Sequence, residues 1–233
     1  MDFAAPLVPA RLVRRYKRFL ADVEFADGSV ATAHCANPGS MAGLAEPGMR
    51  IWLMPAGPGK KMAWSWKLVE LPGGHWAGID TAVPNRVVGG ALRAGAVAEL
   101  AGYASVRAEV AYGTRSRVDF LLGAPGLPDA YVEVKNVHLR RTDDWAEFPD
   151  CVTARGAKHL DELAGMVRAG HRAMMLYLVQ RTDCARLRLA SDLDPAYATA
   201  ARKAQEAGVE VLCYGTRIDP AGVTLGPRLP FQP

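Results

Sequence analysis

The 233-residue chain has no uninterrupted apolar run of membrane-spanning length. A helix needs about 20 such residues to cross a bilayer, so a transmembrane helix is excluded and no membrane partner is expected. The N-terminal stretch also lacks the apolar core of a secretory signal, which points to the cytoplasm. Cysteine is scarce: Cys35, Cys151, Cys184 and Cys213 lie far apart and none forms a CxxC pair. That spacing speaks against a zinc site and a disulfide framework, and favours small buried thiols in a reducing compartment. The five histidines form no HExxH or similar spacing. Internal repeats and low-complexity tracts are missing. No helix-turn-helix reader stands out, which argues against specific operator recognition. Acidic residues are nearly absent from the first twenty positions, where Arg11, Arg14, Arg15, Lys17 and Arg18 are set against Asp2 alone. With a net charge of +4, such a chain is able to bind a polyanion without being obliged to; a solvated charged face is the alternative.

Half the residues are apolar and 22% are charged, a globular balance. The texture changes near residue 83, which divides the chain into 1–82 and 83–233. Before it, short apolar runs alternate with turn signals: strands are predicted at Arg18–Phe25, Ser29–Cys35, Met49–Met54, Trp64–Leu71 and His75–Ile79, with Asp27-Gly28 as a hairpin turn. Such a series predicts a small β-barrel, of OB-fold type or, alternatively, SH3-like. After it, Leu92, Ala96, Glu99, Leu100 and Tyr103 fall at helical spacing with Gly102 to end the helix. Strands are predicted at Arg117–Leu122, Tyr131–Val137, Ala173–Val179 and Val209–Tyr214. Helices are predicted from a Thr153 cap to about Ala169 and over Pro195–Ala207. The fold class is therefore α+β in two domains, a β-barrel followed by a mixed α/β unit.

The chemistry concentrates in two strands. Alternation puts Asp119 on the face opposite Val118, Phe120 and Leu122, and puts Glu133 and Lys135 together on the face opposite Val132 and Val134. If the strands pair, two carboxylates meet, an arrangement a hard divalent cation such as Mg or Mn would stabilise. A lysine beside them can orient water or stabilise charge in phosphoryl transfer. The alternative is a solvent-facing Glu133–Lys135 ion pair of little weight. Glu99, on the apolar side of its helix, is a candidate further metal or water ligand. Lys158 and Glu162 are spaced to pair at i, i+4, yet Arg155, Lys158 and His159 also suit a phosphate. In the barrel, Arg15 and Arg18 join Trp64, Trp66 and Lys67 as a candidate stacking and phosphate surface, although the two tryptophans share a face that favours the core.

Four stretches carry a family resemblance: His34-Cys35-Ala36-Asn37-Pro38-Gly39-Ser40-Met41, Ser116-Arg117-Val118-Asp119-Phe120-Leu121-Leu122, Tyr131-Val132-Glu133-Val134-Lys135-Asn136-Val137, and the run from Phe148 through Asp150 and Arg155 to Leu160. With them the chain resembles the SfsA family of sugar fermentation stimulation proteins along nearly its whole length. The resemblance implies an N-terminal OB-fold and a C-terminal PD-(D/E)XK nuclease-like domain. It also implies DNA binding, with RNA as the alternative, and a role in regulating sugar metabolism genes. On that basis Asp119, Glu133 and Lys135 are the catalytic candidates for a metal-dependent nuclease, with Asp119, Glu133 and Glu99 as metal ligands. Arg15, Arg18, Asn37, Ser40, Arg117, Arg155, Lys158 and His159 are the nucleic-acid candidates; no organic cofactor is expected. Pro38 replaces the threonine usual in the family's loop and removes a backbone donor there; Cys151 stands where alanine is frequent.

Overall fold

The computed structural model describes residues 1–113 and 116–233. Its N-terminal part is a barrel built from β1 (Val8–Tyr16), β2 (Leu20–Glu24), β3 (Val30–Cys35), β4 (Arg50–Pro55) and β5 (Trp64–Leu71), followed by β6 (His75–Gly78). The strands run in the order β3-β2-β1-β4-β5-β6, and a parallel pairing of β3 with β5 closes the ring. This is the OB-type closure. Its interior holds Leu12, Val23, Cys35, Ile51, Leu53 and Trp66, all fully buried or nearly so. Gly28 takes a left-handed φ of +82° in the β2–β3 turn, as the Asp27-Gly28 signal requires. Strand β1 falls where the sequence reading saw only a basic stretch. A bulge between Leu12 and Arg14 breaks its alternation and hides the strand period.

The C-terminal part begins with α1 (Val83–Arg93). A second sheet of order β14-β13-β11-β9-β8-β7 follows, with β7 at Ser105–Tyr112, β8 at Ser116–Gly123, β9 at Ala130–Val137, β11 at Arg172–Val179, β13 at Glu210–Asp219 and β14 at Gly222–Arg228. Strands β9, β11 and β13 are parallel, the others antiparallel. Besides them come α2 (Ala154–Arg168), α3 (Pro195–Glu206) and a small sheet of β10 (Trp145–Phe148), β12 (Arg186–Leu189) and the C-terminal β15 (Phe231–Gln232). Helix α1 and barrel residues such as Leu68 cover one face of the large sheet. Helices α2 and α3 cover the other, through Leu160, Leu163, Tyr197 and Ala201.

Further elements of the α/β domain differ from expectation. The helix expected through Leu92 and Tyr103 ends instead at Arg93. Gly95 adopts a left-handed φ of +64°, and its neighbours close the end with Gly95 N–H donating to Leu92 O and Ala96 N–H to Ala91 O. Ala98–Leu100 is a separate single turn. Strand β7, which the sequence reading missed, adds an edge beside β8.

Candidate active site and nucleic-acid surface

Strands β8 and β9 pair only from Phe120–Val132 to Leu122–Ala130. Beyond that the ladder stops, and the Asp119 side chain takes over: its Oδ2 accepts from the Val134 N–H at 2.7 Å. Its Oδ1 accepts from Asn85 Nδ2 on α1 at 2.6 Å. The parting of the strands thus leaves a carboxylate at the fork. On β9, Glu133 and Lys135 share one face as alternation requires, with Lys135 Nζ 2.7 Å from Glu133 Oε1. Both are largely enclosed, with side chains 4% and 16% exposed, so this is not the solvent-facing pair of the alternative reading.

Helix α2 brings His159 into the same cluster. Its Nδ1 contacts Glu133 Oε1, and its Nε2 accepts from Arg155 Nε at 3.3 Å. Lys135 Nζ also lies 3.3 Å from Nδ1, so lysine, imidazole and carboxylate meet at one point. The helix is set by Thr153, whose side-chain oxygen accepts from the Gly156 N–H. Glu133 Oε2 is buried and has no hydrogen-bond partner among the described residues. The Tyr112 hydroxyl on β7 is in the same condition.

The electrostatics are asymmetric. Burial pushes the Asp119 carboxyl above its ordinary value, and the charge of Glu133 adds to this, against the hydrogen bonds from Val134 and Asn85. Burial also opposes the charge on Glu133, but the hydrogen bond from His159 and the charge and hydrogen bond of Lys135 outweigh it and hold that carboxyl below its ordinary value. Burial, then the nearby Glu133, Glu162 and Asp119 charges, raise the Tyr112 phenol.

A cleft of about 420 Å³ opens onto the cluster, lined among others by Glu109, Arg117, Asp119, Glu133, Arg155 and Lys158. Three of the expected nucleic-acid residues, Arg117, Arg155 and Lys158, are therefore exposed around the carboxylates. Lys158 also lies 3.5 Å from Glu162, as their spacing suggested. Glu109, which the sequence did not flag, sits on β7 with a left-handed φ of +55°, a strained conformation of the kind that collects at functional sites. Asn85 was missed too; nothing in the sequence around it marks a partner for Asp119.

Other candidates lie elsewhere. The Glu99 carboxylate accepts from Tyr214 Oη at 2.5 Å and Arg228 Nε at 2.8 Å, on β13 and β14, and is not brought to Asp119 or Glu133. Its displacement follows from the early end of α1. Arg15 is spent within the barrel, donating to the carbonyls of Arg18, Asn37, Gly39 and Ser40. Asn37 is buried, donating to Ile79 O and accepting from the Gly39 N–H. Arg18 and Ser40 are exposed. Trp66 is fully buried, Trp64 packs on Phe25, and Lys67 pairs with Asp80 at 2.7 Å, so those residues form no open stacking surface.

Among the described residues no group of three or more His, Cys, Asp or Glu side chains converges as a metal shell. Two carboxylates do converge, and the donor chemistry fits a hard divalent cation that completes its shell with water and phosphate. The unpartnered Glu133 Oε2 and the repulsion on Asp119 point the same way.

An OB barrel joined to a mixed α/β domain, with paired acids and a lysine at a forked strand pair, defines a two-domain α+β protein carrying an OB domain. The particular family follows from comparison. Residues 82–222 match the model of the sugar fermentation stimulation protein RE domain, and residues 13–79 match that of the SfsA N-terminal OB domain. The chain is 67% identical to the sugar fermentation stimulation protein homolog of Dinoroseobacter shibae, over 100% of this chain and 96% of that one. The homolog from a Jannaschia species is 62% identical over 100% and 98%. The structure of SfsA from Pyrococcus furiosus in complex with Ca2+ superposes with a TM-score of 0.89 at 27% identity, covering 100% of this chain and 98% of that one. This chain belongs to the sugar fermentation stimulation protein family. No helix among its described residues is long and apolar enough to cross a membrane.

Proposed function

We propose that this protein binds nucleic acid and hydrolyses phosphodiester bonds with the help of a divalent cation. The observation that carries the reading is the pair Asp119 and Glu133, enclosed together at the strand fork with one carboxylate oxygen unpartnered. Asp119 and Glu133 would hold the cation; when bound, it supplies charge neutralisation and Lewis acidity at a phosphate oxygen. Lys135 places a positive charge beside Glu133, where charge develops in phosphoryl transfer. His159 fixes the orientation of Glu133, and Arg117, Arg155 and Lys158 offer phosphate contacts at the cleft rim. The Ca2+ complex of the Pyrococcus furiosus relative supports a divalent ion, and Mg or Mn is our choice for the active ion.

A second reading is a DNA-binding protein that does not cut. One observation favours it: Glu133 Oε1 is shared by Lys135 and His159, and both oxygens of Asp119 already accept hydrogen bonds. Regulation of sugar metabolism genes belongs with this second reading and rests on the family's name.

One assay separates the two. Purified protein is incubated with DNA and with RNA in Mg, Mn or EDTA, beside Asp119→Ala, Glu133→Ala and Lys135→Ala. We expect metal-dependent cleavage that each substitution lowers by at least about 100-fold, with binding in EDTA kept. Binding is also expected to weaken as salt rises, because phosphate contacts release counterions. Wild-type protein that binds but cuts neither polymer in either metal supports the second reading; salt-insensitive binding, or none, defeats both.

A further inference from the structure

The β1–β2 hairpin ends in a three-residue turn, Lys17-Arg18-Phe19, between the paired residues Tyr16 and Leu20. Lys17 and Arg18 hold left-handed φ values of +47° and +62°. Glycine or asparagine relieves that strain, and long side chains carry it without a folding benefit. All three turn residues are exposed, with Phe19 46% accessible. Among the described residues neither Lys17 nor Arg18 pairs its side chain with a carboxylate. The Phe19 ring lies parallel to that of His34 on β3, 11° between planes and 6.4 Å between centroids. The turn is fixed from below, because the Cys35 N–H donates to Phe19 O at 2.8 Å and Arg15 donates to Arg18 O.

A chain of contacts links the turn to the helix that lines the cleft. Arg15 ties it to the Asn37–Ser40 loop. A Cβ on Gly39 of that loop would fall 2.7 Å from Asp150 Oδ2, so loop and Asp150 are in close contact. Asp150 leads through the Thr153 cap into α2, which carries Arg155 and Lys158 to the cleft.

We propose that the Lys17-Arg18-Phe19 turn is a second contact for the polymer, stacking Phe19 on an unpaired base while Lys17 and Arg18 meet the flanking phosphates. The ligand is a single-stranded nucleic acid or the single-stranded end of a duplex. Bases inside a blunt duplex have no free face to stack. The inference deepens the nucleic-acid reading above and rests on it.

The test is fluorescence anisotropy in EDTA with a labelled thymidine homopolymer, a uridine homopolymer and a blunt duplex of equal length. Phe19→Ala is expected to weaken binding of both homopolymers by about tenfold, the size of one base–aromatic stack, and of the duplex by no more than about twofold. Phe19→Trp is expected to keep homopolymer affinity and to show tryptophan quenching on binding. Phe19→Ala with wild-type homopolymer affinity, an equal loss on all three probes, or a Phe19→Trp signal that does not change overturns the stacking contact alone. Wild-type protein that binds the duplex but neither homopolymer does so too, whereas wild-type protein that binds none of the probes overturns the nucleic-acid reading itself.

Discussion

Asp119 is held ionisable where ionisation is disfavoured, since burial and then the Glu133 charge both raise its carboxyl. A raised acid pKa means the fold favours the protonated form, so the charged form present at neutral pH subtracts from stability. Asp119→Asn removes the charge and keeps an acceptor for the Val134 N–H, provided Asn85 turns its own amide oxygen towards the new NH2. We expect its thermal midpoint at pH 7 to rise, by about 2–4 °C for each kcal/mol of repulsion relieved in a chain of this size, while metal-dependent cleavage is lost. A lower midpoint in scanning calorimetry would show that the site carries no net repulsion. The pairing of Glu133 with Lys135 and the position of Asp119 were legible because strand alternation is a local rule. His159 was legible only as a cation near a phosphate. Its contact with Glu133 joins residues 26 positions apart and depends on how α2 crosses the sheet, which no local pattern encodes. Glu99 misled for a related reason: its helical spacing was genuine, but Gly95 had already ended the helix.

At the scale of elements, α2 and α3 share one anchor. The Asp194 side chain caps α3 by accepting from the Tyr197 N–H at 2.9 Å, and its other oxygen accepts from the Thr153 N–H, at the cap of α2, at 2.7 Å. Asp194 is buried, so its loss strands two backbone donors. We expect Asp194→Ala to cost about 2–4 kcal/mol and Thr153→Ala about 1 kcal/mol, read as urea midpoints at constant slope. Equal losses would mean the two helices are capped independently. Both helices were legible from cap to terminal glycine, since Thr153, Gly170, Pro195 and Gly208 punctuate them directly. The sheet-edge strands β7 and β14 and the small sheet of β10, β12 and β15 were not. Segments of this kind are strands because a neighbour offers a ladder rather than because of a strong period of their own.

Across the whole molecule, the barrel is joined to the α/β domain by backbone pairing. Gly78 of β6 donates to Gln180 O and Thr182 donates to Trp76 O, each at 2.9 Å. The residues just beyond form a charge clasp: Asp183 accepts from Arg181 at 2.8 Å and from Arg140 at 2.5 Å, while Arg181 also donates to His138 O. Burial opposes the Asp183 charge, but the Arg181 and Arg140 partners outweigh it and hold its carboxyl at about 2, against 3.8 ordinarily. A depressed acid contributes stability above the unfolded value and loses it as pH falls through the folded one. We therefore expect wild type to exceed Asp183→Asn by about 2 kcal/mol above pH ~4, with the gap closing towards pH ~2 in acid titrations followed by circular dichroism. A constant gap would assign the stability to packing instead. The closing of β3 on β5 has a further consequence at this scale. Each barrel strand from β1 to β5 is paired on both sides, and β6 is flanked by β5 and the Gln180–Thr182 segment. The barrel therefore has little open strand edge to lend to a passing peptide or to another copy of itself, short stretches such as Val30–Thr32 of β3 and the Tyr16 end of β1 excepted. Most of the surface it presents is made of side chains and turns, residues that can change without unpicking the backbone.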